Sequence, residues 1–230
     1  MIKEKPENLT ENELLPIRKK NEGFARQRER YLDSIRLHSE LPVGLGGLAF
    51  DWPVDMSNPL FNLPCLYGEN NFIEYGRHNG IDIQAPLGTK IFSPIDLRLL
   101  AIIEDPRPGN LDLVEICLFS EETGIFFNFA HVGGSSLSDY LTKYKGKLVG
   151  EKNIVIPKGA PLGAIGAFPE LDSRIPVEKD VVQVYGRKFN HLHILTCKPE
   201  KPEIPCLTSK GLLDLHEKDF NPLLVLKRLY

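Results

Sequence analysis

The chain has 230 residues, with 28 basic against 31 acidic side chains and a formal net charge of −3. This balance offers no general electrostatic attraction to nucleic acids or to anionic membrane surfaces. Apolar residues make up 42% and charged residues 26%, as in soluble globular proteins, so the composition excludes wholesale disorder, and the length suits one domain with or without an arm.

Residues 1–49 are expected to form a charged helical arm and a linker. Between Thr10 and Ser39 the pattern is polar and typical of a helix, with Thr10 as N-cap and Glu13 as its capping-box partner. Basic side chains outnumber acidic ones between Arg18 and Arg36, which would allow contact with an anionic polymer such as nucleic acid. The favoured interpretation is a solvated helix that packs on the body through Phe24, Tyr31, Ile35 and Leu37.

Residues 50–230 are expected to form one mainly β domain. Nineteen glycines and eighteen prolines separate short apolar runs, which predicts an antiparallel β-sandwich or barrel. The predicted strands are Ile81–Ile83, Ile91–Phe92, Leu97–Ile103, Leu111–Phe119, Ile125–Phe129, Asn153–Ile156, Val181–Tyr185 and His191–Thr196.

The first thirty residues contain no apolar stretch of the kind found in secretory signals, and no apolar run approaches the ~20 residues of a membrane span. We therefore expect a soluble chain that is cytoplasmic as synthesised. If it is exported or delivered, we expect it to act at the cell envelope.

Cysteines and histidines are the residue types that could form a metal or redox site. The cysteines, Cys65, Cys117, Cys197 and Cys206, contain no CxxC pair, so we expect them to be buried or idle thiols. The histidines are more suggestive, because four of the six fall in three short segments of the β-rich body.

The spacing of these histidines favours a metal centre. His191 and His193 are two residues apart, so an extended strand presents both on one face. His78 and Asp82 can converge if the chain turns at Gly80. Two imidazoles and one carboxylate suffice to hold a catalytic zinc, which leaves other histidines for proton transfer and oxyanion stabilisation.

Six segments in this order resemble the lysostaphin-type zinc endopeptidases, the family that includes LytM and cleaves peptides of bacterial cell walls. They are Phe50–Val54, the HxxxD motif His78–Asp82, Ala85–Thr89, Phe129–Val132, the glycine-spaced turn Ile156–Gly166, and the HxH motif His191–His193. The resemblance implies an antiparallel β-sandwich with a groove across one sheet. It also implies one zinc ion per chain, bound by His78, Asp82 and His193, with His131 and His191 as catalytic residues.

The leading hypothesis is a zinc-dependent endopeptidase that hydrolyses stem or cross-bridge peptides of peptidoglycan, or another peptide substrate. The alternative is a non-catalytic module of this fold that binds cell wall or regulates other hydrolases. Nucleic-acid binding through the arm is a third, less favoured hypothesis. We expect the insertion Glu170–Arg187 to wall the groove, and whether Asn62–Asn71 covers it is left open by the sequence.

Overall fold

The structure is a computed structural model that describes residues 25–56, 62–69, 78–104, 112–149, 154–168, 190–199 and 219–229. Several predictions lie outside these residues: the Thr10 cap, the contact through Phe24, the strand Val181–Tyr185 and the insertion Glu170–Arg187. Among the described residues, no helix is both long enough and apolar enough to cross a membrane.

The described strands form one large antiparallel sheet and one small one. The nine strands of the large sheet are β1 (Asn62–Cys65), β2 (Ile81–Gln84), β4 (Leu97–Glu104), β5 (Leu113–Phe119), β6 (Phe126–Gly133), β7 (Lys147–Leu148), β8 (Val155–Ile156), β10 (His191–Cys197) and β11 (Asp219–Phe220). The small sheet pairs β3 (Lys90–Phe92) with β9 (Pro161–Ala164). The predicted mainly β, antiparallel fold is confirmed.

The order β1-β2-β10-β6-β5-β4-β7 makes β2, β10 and β6, the strands that carry most of the candidate site residues, neighbours in the large sheet, with β11 on β10 and β8 on β4. The central strand β6 is buried along its whole length. Its side chains alternate between two apolar clusters, because Phe127 and Phe129 enter the main core whereas Phe126 enters a smaller one. Ile91 of β3 and Leu162 of β9 belong to the main core, so the small sheet packs on the large one.

The arm includes the helix α1 over residues 25–37, and this helix packs on the body. Tyr31 is fully buried in the main core and Ile35 packs against it, as the sequence predicts. The prediction for Leu37 was wrong, because its side chain is 67% exposed at the end of the helix. The boundary between arm and body at residue 50 stays a prediction.

Two segments next to the strands have irregular structure. Phe50–Val54 does not form a strand, because only Phe50 is paired, in an isolated bridge to Leu226. The strand β6 ends at Gly133 and is followed by a 3₁₀ helix over Gly134–Ser136 and by the short helix α2 (Asp139–Thr142).

The glycines at 133 and 166 allow two backbone segments to approach closely. A Cβ at Gly166 would lie 2.3 Å from Cδ2 of Leu113 and 2.9 Å from the backbone of Gly133. At this approach the Gly166 amide donates a 3.0 Å hydrogen bond to the carbonyl of His131. Only glycine, which has no Cβ atom, fits at both positions.

We expect Gly166→Ala to lower the free energy of unfolding by about 1–3 kcal/mol, because the added methyl group overpacks a site closed by backbone. Gly46→Ala is the matched control, since a Cβ there meets nothing within 4 Å. Urea unfolding of both variants checks the prediction. Equal stability of the two would contradict the close approach.

Candidate metal centre

One row of side chains across three adjacent strands builds the site. Asp82 of β2 pairs directly with His193 of β10 on one side and with Cys65 of β1 on the other. Residues that pair directly across strands point to the same face of a sheet. The register therefore places a carboxylate between an imidazole and a thiol.

His78 completes this group from the turn that precedes β2. Its Nε2 atom lies 3.1 Å from Nδ1 of His193 and 3.3 Å from Oδ1 of Asp82. Nδ1 of His193 lies 2.9 Å from the same Asp82 oxygen. The three atoms form a nearly equilateral triangle, so the structure brings together the three residues that the resemblance implies as ligands.

The triangle fits a zinc ion by its size and its donors. Ligands bound at about 2.0–2.1 Å in a tetrahedron lie roughly 3.3 Å from one another, close to the separations of this triangle. Nδ1 of His78 donates a 3.2 Å hydrogen bond to the carbonyl of Leu66, which leaves Nε2 as the lone-pair donor, an arrangement typical of metal-binding histidines.

Gly80 is required by the close packing of the turn against β10. A Cβ at this position would lie 2.3 Å from the carbonyl oxygen of Ile194 and 2.8 Å from the ring of His193. Only glycine therefore fits at the predicted turn. The turn carries His78 over the first residues of β2.

Asp82 is the electrostatic centre of the group, because its carboxylate is 2% exposed. Burial raises its pKa, but the neighbouring histidines outweigh burial and hold the pKa well below its usual range. For His78, burial lowers the pKa, whereas the charge of Asp82 and hydrogen bonds with Asp82 and Cys65 raise it, and the net direction is upward. The site is thus suited to positive charge beside Asp82.

The two histidines expected to be catalytic lie together beside the triangle. The ring centroids of His131 and His191 are 4.4 Å apart, and Nε2 of His191 is 3.7 Å from Oδ1 of Asp82. The ring of Phe168 stands edge-on to both at 4.8 Å. Its backbone amide donates a hydrogen bond to the Asn190 side chain, which anchors Phe168 beside the start of β10.

The backbone of His131 is strained. Its φ is 66°, and it is the one non-glycine residue with positive φ in the described part of the chain. The pairing of β5 with β6 shifts register opposite this region, between Val114 and Ile116, so β6 is irregular where His131 projects. Strain of this kind costs about 1–3 kcal/mol and is concentrated at functional sites.

Two residues at the site carry no signal in the sequence. Cys65, expected to be a buried or idle thiol, is buried, but its Sγ atom and ligand atoms of His78 and Asp82 all lie within 4.8 Å of one another. Phe168 follows the glycine-spaced turn Ile156–Gly166 and lies outside every motif named from the sequence. Neither residue lies in a spaced motif with the histidines, since register alone aligns Cys65 with Asp82.

The remaining histidines do not join the site in the described part of the chain. His38 packs edge-on against Tyr67, and its ring fills the space beside Gly68, so its role is structural. His216 lies outside the described residues.

No protein-family profile matches the chain, and no curated protein sequence matches it. Among solved structures it is similar to Helicobacter pylori Csd3, with 19% identity and a TM-score of 0.41 over 79% of this chain and 36% of that one. It is also similar to lysostaphin (12% identity, TM-score 0.46, 80% and 60% covered) and to a putative peptidase M23 from Pseudomonas aeruginosa (20%, 0.38, 87% and 61%). The chain thus spans about a third to three fifths of the length of these proteins.

We expect His131→Gly to be more stable than His131→Ala by about 1 kcal/mol, because both remove the ring and only glycine adopts positive φ without strain. Asn128, also on β6, supplies the control: Asn128→Gly should be less stable than Asn128→Ala by roughly 0.5–1 kcal/mol. Chemical denaturation of the four variants measures both differences. If the difference in stability between the Gly and Ala variants had the same sign at both positions, this would contradict the strained backbone at His131.

Proposed function

We propose that the chain is a zinc-dependent peptidase that hydrolyses peptide bonds. The observation that carries the proposal is the triangle of His78, Asp82 and His193. Two more histidines, His131 and His191, lie beside it. This donor set is the one expected of a catalytic zinc site, in which three protein ligands leave a further position for water or substrate.

The chain's own residues supply the other parts of the reaction. Zinc, when bound, would polarise the scissile carbonyl and make water a competent nucleophile near neutral pH. His131 and His191 lie close enough together for one to accept the proton of the attacking water while the other donates a hydrogen bond to the developing oxyanion. Phe168 covers one side of the pair and limits its contact with solvent.

For the substrate, we propose peptides of peptidoglycan, either stem or cross-bridge peptides. The support is the ordered set of motifs that resembles the lysostaphin-type endopeptidases, from His78–Asp82 to His191–His193. A non-catalytic module would not need His131 and His191 for proton transfer. Here both are present and lie together beside the triangle. Retention of the strained His131 backbone favours an active enzyme over a binding module.

We expect zinc to stabilise the protein, because an ion that binds only the folded state adds about 2.7 kcal/mol at one hundred times its dissociation constant. His193→Ala and Asp82→Asn should abolish this gain. Thermal unfolding with and without zinc measures it, with Asn128→Ala, a variant on the neighbouring strand, as control. A gain that survives in His193→Ala would contradict the ligand assignment.

We expect His131→Ala to retain zinc and to lose about 10²–10⁴ in the rate of peptide hydrolysis, the usual contribution of a positioned acid–base group. Release of new amino groups from purified peptidoglycan sacculi, with and without a chelator, measures the rate. Activity in His131→Ala equal to that of the wild type would contradict the role. Zinc bound at one ion per chain with no release, either by the wild type or by a Cys65→Ala variant, would favour the binding module.

A further inference from the structure

Cys65 is in place to act on the proposed metal centre. It is the direct cross-strand partner of Asp82, it is 2% exposed, and its Sγ atom lies within 4.8 Å of ligand atoms of both His78 and Asp82. Its thiol and the His78 side chain are hydrogen-bonded. The thiol therefore faces the ligands and not an apolar neighbour.

The geometry points to Cys65 as a fourth protein ligand of the metal, an inference that rests on the proposed zinc site. Adjacent strands lie about 4.8 Å apart, so β1 and β10 place Cys65 and His193 on opposite sides of Asp82, from which both reach the space above it. Zinc–sulfur bonds are about 2.3 Å, so sulfur and nitrogen ligands are roughly 3.6 Å apart. Since Sγ of Cys65 already lies within 4.8 Å of ligand atoms of His78 and Asp82, a shift of little more than about 1 Å would bring it to this separation from those two ligands.

Coordination by Cys65 would close the site. The S–H bond is replaced by a sulfur–metal bond, and the proton is released to solvent. Four protein ligands are typical of structural zinc sites, whereas catalytic sites keep one position for water. The resting protein would therefore hold its metal in a latent form, and Cys65 must withdraw before a peptide can bind.

The contacts around Cys65 link this ligand to the helix α1. Arg30 of α1 binds both carboxylate oxygens of Glu69 at 2.9 Å. Glu69 in turn accepts a 2.8 Å hydrogen bond from the amide of Leu66, the residue after Cys65. The arm thus holds the end of β1 in the position that places the thiol beside His78.

The test uses the full, reduced chain loaded with cobalt(II) in place of zinc. We expect a thiolate-to-cobalt charge-transfer absorption in the wild type that is absent from Cys65→Ser and Cys65→Ala. Cys117→Ser is the matched control, because Cys117 is also fully buried but lies in the smaller apolar cluster. Its absorption should equal that of the wild type.

Two further measurements give the size of the effect. In competition with a chromophoric chelator, the Cys65 variants should bind zinc at least 10–100-fold more weakly, the range for loss of a supporting partner. At saturating zinc, Cys65→Ala should release amino groups from sacculi several-fold faster than the wild type, since its fourth position is open. Retained absorption in both Cys65 variants, or its absence from the wild type, would overturn the inference.

The same titration separates this inference from the proposed function. His193→Ala should lose most of its cobalt affinity. If it does so while the wild type shows no thiolate absorption, the zinc site stands and the role of Cys65 is wrong. If His193→Ala binds cobalt as the wild type does, the ligand set itself is wrong.

Discussion

The buried charge of Asp82 is the constraint on which the rest of the site depends. A carboxylate that is 2% exposed is costly unless it is paired, and three histidines from two segments supply the pairing. The same oxygen of Asp82 contacts His78, His191 and His193, so these side chains are held by one atom. Loss of this carboxylate would leave His78, His191 and His193 without their common partner.

Sequence periodicity predicted the parts of this site that local geometry determines. The two-residue spacing of His191 and His193 places both on one face of β10, and both do lie beside Asp82. Gly80 was identified as a turn, and the structure adds that any side chain there would strike β10. Long apolar strands such as β5 and β6 were likewise predictable, within a few residues at their ends.

The features that could not be predicted depend on contacts between distant segments. Cys65 joins the site only through the register of β1 on β2, which no spacing along the chain encodes. His131 projects into the site because Gly133 and Gly166 let two backbones meet and the Gly166 amide holds the His131 carbonyl. A hydrophobic pattern carries no signal for positive φ at a histidine, so this strain emerges only in three dimensions.

The position of β1 explains how a fourth ligand could bind and still withdraw. Among the described strands, β1 pairs with β2 alone, at one end of the sheet order, and its register is irregular between Asn62 and Cys65. Its withdrawal would therefore break the pairing with one strand, whereas moving β2 or β10 would break pairings on both sides. The half-buried Arg30–Glu69 pair tethers the chain just after β1 to the helix α1. Displacement of that helix would thus loosen the segment that carries Cys65, whereas the pairing of Asp82 with His193 between β2 and β10 does not depend on it.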